Sequence, residues 1–292
     1  MSVENHIRNP FELAIENISA VLASAANTHV VETSQAEPAV RRIGARDLLD
    51  ALREGAGDLA AARDDVLFAA VIYPLAGLFL ARLVFSDNLL PLAFPLAAGF
   101  ALIGPVAAIG LYEISRRREQ GLPISWADAF HVLRSPALSS ILWLGFMLLG
   151  LFAAWMAAAW GIYLSTIGLQ HMTPIGPQLP TSFTSFAREA FTTAPGWAMI
   201  TAGMVIGALF AAVAFRISVL SFPLMLDRHV GMPTAVKTSL HAVAANPGPM
   251  ALWGVIVAAS LALGSIPALF GLIFVVPLLG HATWRLYRKL VV

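Results

Sequence analysis

The sequence predicts an all-α, polytopic transmembrane helix bundle with about six spans. Hydrophobic residues make up 58% of the 292 residues and charged residues only 12%, whereas soluble domains contain roughly 45–50% and about 25%. Several apolar stretches approach the roughly 20 residues that cross a bilayer as a helix. Short amphipathic segments precede spans one, three and five, and we expect them to form helices on the cytoplasmic side of the membrane.

Six apolar stretches are candidate spans, near residues 66–85, 89–112, 137–164, 196–220, 250–263 and 267–286. The last two divide one stretch, Met250 to Thr283, which as a single helix would be about 51 Å long at 1.5 Å per residue. That length exceeds the roughly 30 Å hydrocarbon core, and Gly264 to Pro267 provides a turn signal in its middle. Span five would then be only about 21 Å long, so it either crosses a thinned bilayer or is re-entrant.

Residues 1–40 are predicted to form a partly disordered, cytoplasmic N-terminal segment, and residues 41–292 the membrane domain. Phe11 to Ala26 has apolar residues at helical spacing but also glutamates, so it indicates a soluble amphipathic helix rather than a secretory signal. The polar stretch Glu32 to Pro38 is typical of a linker. The low content of large apolar residues favours disorder around it.

The three amphipathic segments resemble one another, because each leads directly into an odd-numbered span. They begin near Asp47, Trp126 and Ala235. A threefold repeat of one amphipathic helix and one membrane hairpin would produce this pattern, and so would generic amphipathic connectors. The sequence leaves both explanations open.

The basic residues indicate the orientation of the spans. With six spans and a cytoplasmic N-terminus, the cytoplasmic segments contain Arg116 to Arg118, Arg134 and Arg285 to Lys289. Arg82 and Arg188 lie at or beyond the opposite face. The positive-inside rule therefore predicts a multi-pass protein of a bacterial inner membrane with cytoplasmic N- and C-termini.

Several stretches of the chain resemble one protein family. They are Arg42 to Leu48, Tyr73 to Leu78, Leu90 to Leu96, Gly99 to Pro105, Gly110 to Arg117, Ser221 to Arg228 and Leu279 to Arg288. Together they resemble a family of proteobacterial predicted integral membrane proteins, defined by domain of unknown function 2189, over about residues 40 to 290. The resemblance implies a polytopic membrane protein and brings no established activity or catalytic residues.

Glu113 and Arg216 form a candidate intramembrane polar pair. Both lie near the predicted cytoplasmic ends of spans two and four, and ionisable groups at membrane depth are costly and usually paired. The two side chains would form an ion pair or line one inward-facing cavity. In the alternative, Arg216 extends to the lipid headgroups and Glu113 balances the arginines that follow it.

Two further groups of residues near the predicted cytoplasmic ends of the spans are candidate lipid contacts. His281, Trp284 and Arg285 are typical of an interfacial polar anchor, with a proton or ligand role for His281 as the alternative. Arg116, Arg117 and Arg118 follow span two and would contact anionic lipid headgroups. As an alternative, these three arginines serve only to fix the orientation of the spans.

Gly203, Gly207 and Ala211 place small residues on one face of span four. Small residues at this spacing let two membrane helices approach closely. The pattern predicts a packing surface that is used either within the chain or between copies of it in a homo-oligomer.

The sequence offers no catalytic constellation. The chain has no cysteine, which excludes disulfides, thiolate metal sites and cysteine nucleophiles. Phosphate-binding loops, nucleophile elbows and histidine pairs at metal-ligand spacing are also missing, and the basic residues follow the span ends rather than forming a nucleic-acid-binding face. We therefore expect no enzymatic activity, no catalytic residues, no cofactor, no metal and no nucleic-acid partner.

Two functions are consistent with these features. The first is a non-catalytic accessory, scaffold or assembly component of a membrane complex, with the lipid bilayer and other membrane subunits as partners. The second is a small transporter or permease with an inward-facing cavity near Glu113 and Arg216, because transporters often contain repeats and interrupted helices.

Overall fold

The computed structural model describes residues 38–61, 79, 82, 89–96, 108–122, 126–173, 176–177, 180, 182–267 and 270–292. The predictions for residues 1–37, for most of span one and for residues 97–107 of span two lie outside the described residues. Most described residues are helical. The α-helices are α1 Ala45–Ala61, α2 Ile109–Glu119, α3 Leu138–Ser165, α4 Ile167–Gln170, α5 Phe183–Thr192, α6 Ala194–Ser218, α7 Ser221–Arg228, α8 Met232–Ala245, α9 Pro247–Ser265 and α10 Leu272–Leu290.

The remaining elements are short. Leu90–Leu92 and Trp126–Arg134 are 3-10 helices, and β1 Met172–Thr173 pairs antiparallel with β2 Gly176–Pro177. The predicted amphipathic segments correspond to α1, to the second 3-10 helix and to α8. The predicted helical bundle is therefore confirmed over the described residues.

Three helical segments in the described part of the chain are long and apolar enough to cross a membrane. They are Leu138–Ser165, the continuous stretch Ala194–Arg228 and Pro247–Ser265. Only 6% of the most apolar part of Ala194–Arg228 is buried inside the protein. This exposure is expected of helices whose apolar side chains face lipid, where the backbone hydrogen bonds are satisfied within each helix.

Span five is longer in the structure than its predicted bounds, residues 250–263. Helix α9 has 19 residues, Pro247–Ser265, which corresponds to about 28 Å at 1.5 Å per residue. Its end turns sharply into α10, because Gly271 lies against Gly264: a Cβ at Gly271 would be 2.6 Å from the carbonyl oxygen of Gly264. Gly264, which belongs to the predicted turn signal, and Gly271, which does not, together permit this close approach.

Helix α10 differs from the predicted span six, residues 267–286. Its second half is inside the protein: Ala282, Trp284, Leu286 and Tyr287 are fully buried. Helix α1 covers this half and makes its most extensive contact there. Residues 279–286 of the predicted span six are therefore packed within the protein, because a helix from the opposite end of the described chain covers them.

A regular spacing of residues explains how α1 docks. Leu48, Ala51, Gly55 and Asp58 are its buried positions, three or four residues apart, so they share one helical face. Gly55 lies against the backbone of Ala282, and a Cβ at Gly55 would be 2.6 Å from its nitrogen. The glycine thus sets the short distance between the two helices.

The two ends of the described chain lie side by side. Val40 and Val291 form an isolated antiparallel bridge, and the Arg41 backbone N–H donates to the Leu290 carbonyl at 2.8 Å. The buried side chain of Asn246 accepts a 2.8 Å hydrogen bond from the Ile43 N–H and donates to the Arg41 carbonyl at 3.1 Å. The segment before α1 is therefore tied to both the C-terminus and the start of α9.

Replacing Gly55 with alanine is expected to lower the free energy of unfolding by about 1–3 kcal/mol, because the new methyl group would overpack the contact with Ala282. Gly57→Ala is the matched control on the same helix, since a Cβ at Gly57 meets no described residue within 4 Å. Thermal unfolding in detergent, followed by tryptophan fluorescence, measures both. Equal melting temperatures for the two variants would contradict the close packing of α1 on α10.

Candidate functional site

Charged and polar side chains gather where the ends of α1, α2, α7 and α10 meet. We call this region the polar end of the protein. Its residues are Asp58, Glu113, Ser115, Arg116, Arg117, Arg118, Glu119, Asp227, His281, Trp284, Arg285, Tyr287 and Arg288.

Asp58 connects three helices of the polar end. Its side chain is only 5% exposed and accepts hydrogen bonds of 2.7 and 2.9 Å from Nε and Nη2 of Arg285. Nε of Arg118 lies 3.4 Å from the same carboxylate, and its Nη1 donates to the Asp58 carbonyl at 2.9 Å. A buried carboxylate requires such partners, because losing one of them leaves an uncompensated charge.

A second network joins α10 to α2 and α7. The Trp284 Nε1–H donates to Glu119 at 3.1 Å, and the Tyr287 hydroxyl donates to Asp227 at 2.6 Å. Arg288 bridges the two carboxylates, with Nε 3.0 Å from Glu119 and Nη1 3.3 Å from Asp227. Burial, and then the hydrogen bond to Asp227, raise the pKa of the Tyr287 phenol, so the phenol remains protonated and keeps donating.

Ser115 and His281 form a third contact, which is fully buried. The Ser115 hydroxyl oxygen lies 2.6 Å from Nδ1 of His281, and the tautomer of the imidazole decides which group donates. Neither residue is exposed to the outside. The pair therefore fixes the register of α2 against α10 rather than presenting the imidazole to a ligand.

Glu113 is buried, and the arginines that follow it on α2 hold its carboxylate. Nε and Nη2 of Arg116 donate to it at 2.8 and 3.0 Å, and Nε of Arg117 lies 3.5 Å away. Arg117 also pairs through Nη1 with Asp128, which lies 3.2 Å from Nδ1 of His131. The negative charge of Glu113 is thus balanced on its own helix.

A partly open cavity of about 280 Å³ lies beside Glu113. Its lining is formed by Glu113, Arg116, Arg117, Leu122, His131, Val132, Arg134, Ser135, Pro136, Leu226 and His229. The lining contains five basic side chains and one carboxylate. These groups come from α2, the second 3-10 helix and the end of α7.

The structure does not bring Glu113 and Arg216 together. Glu113 pairs with Arg116 and Arg117, whereas the side chain of Arg216 is exposed on α6. Arg216 is also not among the residues that line the cavity. The pair with Arg216 does not form, because Arg116, one turn away on the same helix, reaches Glu113 without any tertiary packing. Glu113 instead balances the arginines that follow it, as in the alternative interpretation.

The residues predicted to contact lipid at the polar end also have partners within the protein. Arg116 and Arg117 pair with Glu113, and Arg118 pairs with Asp58. The positive charges of these arginines are therefore partly balanced by carboxylates of the same protein. His281 and Trp284 are fully buried, and Arg285 binds Asp58. They do not form an interfacial anchor, because α1 and α2 cover the face of α10 that would carry it.

The small residues of span four have different surroundings. A Cβ at Gly207 would be 2.9 Å from the Trp155 ring, whereas a Cβ at Gly203 would meet nothing within 4 Å. Ala211 is exposed. Gly207 therefore packs within the chain against α3, while the remaining two positions are open in the described part of the structure.

Sequence reasoning missed the carboxylates that organise the polar end. Asp58, Glu119 and Asp227 each bind an arginine of α10, at distances along the chain that no local pattern reveals. A usable signal existed for Asp58. It falls on the buried face of α1 together with Leu48, Ala51 and Gly55, where a carboxylate implies a buried partner.

Comparison with known proteins supports the resemblance found in the sequence. Residues 93–227 match the family described as predicted integral membrane protein (DUF2189). Neither a curated protein nor a solved structure matches the chain. The resemblance is therefore confirmed over these residues, and the chain is an integral membrane protein.

Replacing Asp58 with asparagine is expected to lower the free energy of unfolding by about 3–5 kcal/mol, since it leaves Arg285 without its buried counter-charge. Asp50→Asn on the same helix is the control. Asp50 and Arg53 are 51% and 72% exposed and 3.8 Å apart, and such surface pairs contribute roughly 0–1 kcal/mol. Chemical unfolding in detergent measures both, and equal losses would argue against Asp58 as an organising residue.

Proposed function

We propose that this integral membrane protein, whose residues 93–227 match the DUF2189 family, is a non-catalytic accessory, scaffold or assembly component of a membrane complex. The observation that carries this proposal is the open apolar surface of its spans. Between 6% and 22% of their most apolar parts is buried within the chain. Surface of this kind is covered by lipid or by the helices of partner subunits.

The charge pairing of the polar end also supports a structural role. Asp58, Glu113, Glu119 and Asp227 each accept hydrogen bonds from side chains of the same protein. These hydrogen bonds link α1, α2, α7 and α10 to one another. A rigid, internally paired end is suited to holding helices in place.

The distribution of basic residues supports an inner-membrane location with cytoplasmic termini. The arginines of the polar end lie together, and Val40 and Val291 pair beside them. Both ends of the described chain therefore share one side. The positive-inside rule favours the cytoplasm for that side.

The accessory role is tested by purifying the chain from its native membranes with a C-terminal tag in mild detergent. We expect reproducible, stoichiometric co-migration with a larger complex on native gels, identified by mass spectrometry. A chain that migrates alone and moves a solute into vesicles would overturn the proposal.

A small permease is the second candidate, and the cavity beside Glu113 favours it. The cavity is partly open and holds charged side chains next to the start of α3. Solute uptake by purified protein in vesicles, lost in a variant that fills the cavity such as Ser135→Trp, would support transport. Uptake at the rate of empty vesicles would eliminate it.

Two glycines of α6 allow a partner contact to be separated from internal packing. Gly203→Leu is expected to release a partner subunit without lowering the melting temperature, because a Cβ there meets nothing within 4 Å among the described residues. Gly207→Leu is expected to lower the melting temperature, because it would collide with Trp155. Native gels and thermal unfolding of both variants measure this, and a fully retained complex in Gly203→Leu would exclude this face as the contact.

A further inference from the structure

The cavity beside Glu113 has the size and composition of a small ligand site. Its volume of about 280 Å³ is near the lower end of the roughly 300–1,000 Å³ seen for ligand pockets. A group of the size of a phosphate ester fits such a space. The lining combines arginine and histidine side chains with apolar ones.

The charge of the cavity favours an anion. Glu113 is only 3% exposed and is already bonded by Arg116, so its charge is balanced. Arg116 uses Nε and Nη2 for these bonds, and a guanidinium carries five N–H donors, which leaves three for a ligand. Arg134 also lines the cavity and has no ion pair with any described residue. Arginine donors match the geometry of phosphate oxygens.

The position of the cavity points to a lipid rather than a soluble anion. Ser135 and Pro136 line it, and the apolar helix α3 begins at Leu138. The cavity is therefore at the end of a candidate span, at the depth of the headgroups. Leu122, which lines the cavity, is 45% exposed and Leu133 is 63% exposed. Exposed leucines beside an anion pocket suit a ligand that also carries acyl chains.

The end of α7 brings one more side chain to the cavity. His229 ends α7 in the left-handed conformation, with φ 52°, and it lines the cavity. Glycine is the residue that best tolerates this position after a helix. The imidazole at this position supplies a further donor to the cavity.

We propose that this cavity binds the phosphate of an anionic phospholipid headgroup, with Arg116, Arg134 and His229 as its principal donors. The binding is reversible and involves no covalent step. It differs from the contacts predicted from sequence, because Arg118 is held by Asp58 on the far side of α2, whereas Arg134 and His229 come from other elements.

The proposal is tested by thermal unfolding of the full chain in a neutral detergent with three probes. They are dihexanoyl phosphatidic acid, dihexanoyl phosphatidylcholine and inorganic phosphate. We expect saturable stabilisation by phosphatidic acid and none by phosphatidylcholine. Equal stabilisation by inorganic phosphate would mean that the cavity binds a soluble anion, and it would overturn the proposal that the ligand is a lipid. No stabilisation by either anion would overturn the site itself.

Two variants and one control locate the binding. Arg134→Gln is expected to weaken the apparent affinity for dihexanoyl phosphatidic acid about fivefold, the effect of roughly 1 kcal/mol per basic residue near an anionic surface. Arg53→Gln removes the same charge from α1, outside the cavity, and is expected to leave the affinity unchanged. Equal weakening by both variants would mean that only net charge matters and would overturn the site.

His229→Gly provides a variant that has no reason to misfold. Glycine adopts the left-handed conformation freely, so we expect the melting temperature without lipid to stay the same or rise. The affinity for dihexanoyl phosphatidic acid is expected to fall because a donor is lost from the cavity. An affinity equal to that of the unmodified chain would remove His229 from the site, and the same result for Arg134→Gln would overturn the proposal.

Discussion

The buried carboxylate of Asp58 is the constraint on which the polar end depends. A charge at this depth is tolerated only with partners, and Asp58 takes them from two other helices, Arg118 of α2 and Arg285 of α10. The contact also needs α1 and α10 to be close, which Gly55 allows at Ala282. Close packing and charge pairing therefore support each other. Gly55 lets α1 lie close to α10, where Asp58 bonds Arg285, and Arg285 and Arg118 balance the charge that the packed face buries.

The remaining contacts of the polar end follow from the position of α10. Once its register is set, Trp284 and Tyr287 reach Glu119 and Asp227, and Arg288 bridges those two carboxylates. These bonds orient α2 and α7 around the last turns of α10. The orientation of α2 in turn directs Glu113 and its arginines towards the second 3-10 helix, and the cavity lies between them. The position of the cavity thus depends on the buried contacts of Asp58 with Arg118 and Arg285, on the other side of α2.

The spans could be predicted from the sequence because lipid imposes only a local requirement. A helix facing hydrocarbon needs length and apolar side chains, not a particular partner. Leu138–Ser165 and Ala194–Arg228 accordingly fall where the apolar stretches indicated. The end of α10 could not be predicted in this way. Trp284, for example, was predicted to belong to an interfacial anchor, whereas it is fully buried in the structure. No local pattern reports a contact between segments more than 200 residues apart.

The charged residues were harder to interpret because position in a span does not identify the partner. The sequence allowed Glu113 either to pair with Arg216 on another helix or to balance the arginines that follow it, and in the structure Arg116 on the same helix bonds it. This local pairing has a consequence for the cavity. Because α2 balances Glu113 internally, the charges left facing the cavity are those of Arg134 and the spare donors of Arg116. Glu113, whose carboxylate alone would repel an anion, thus holds Arg116 in the place where its remaining donors can bind one.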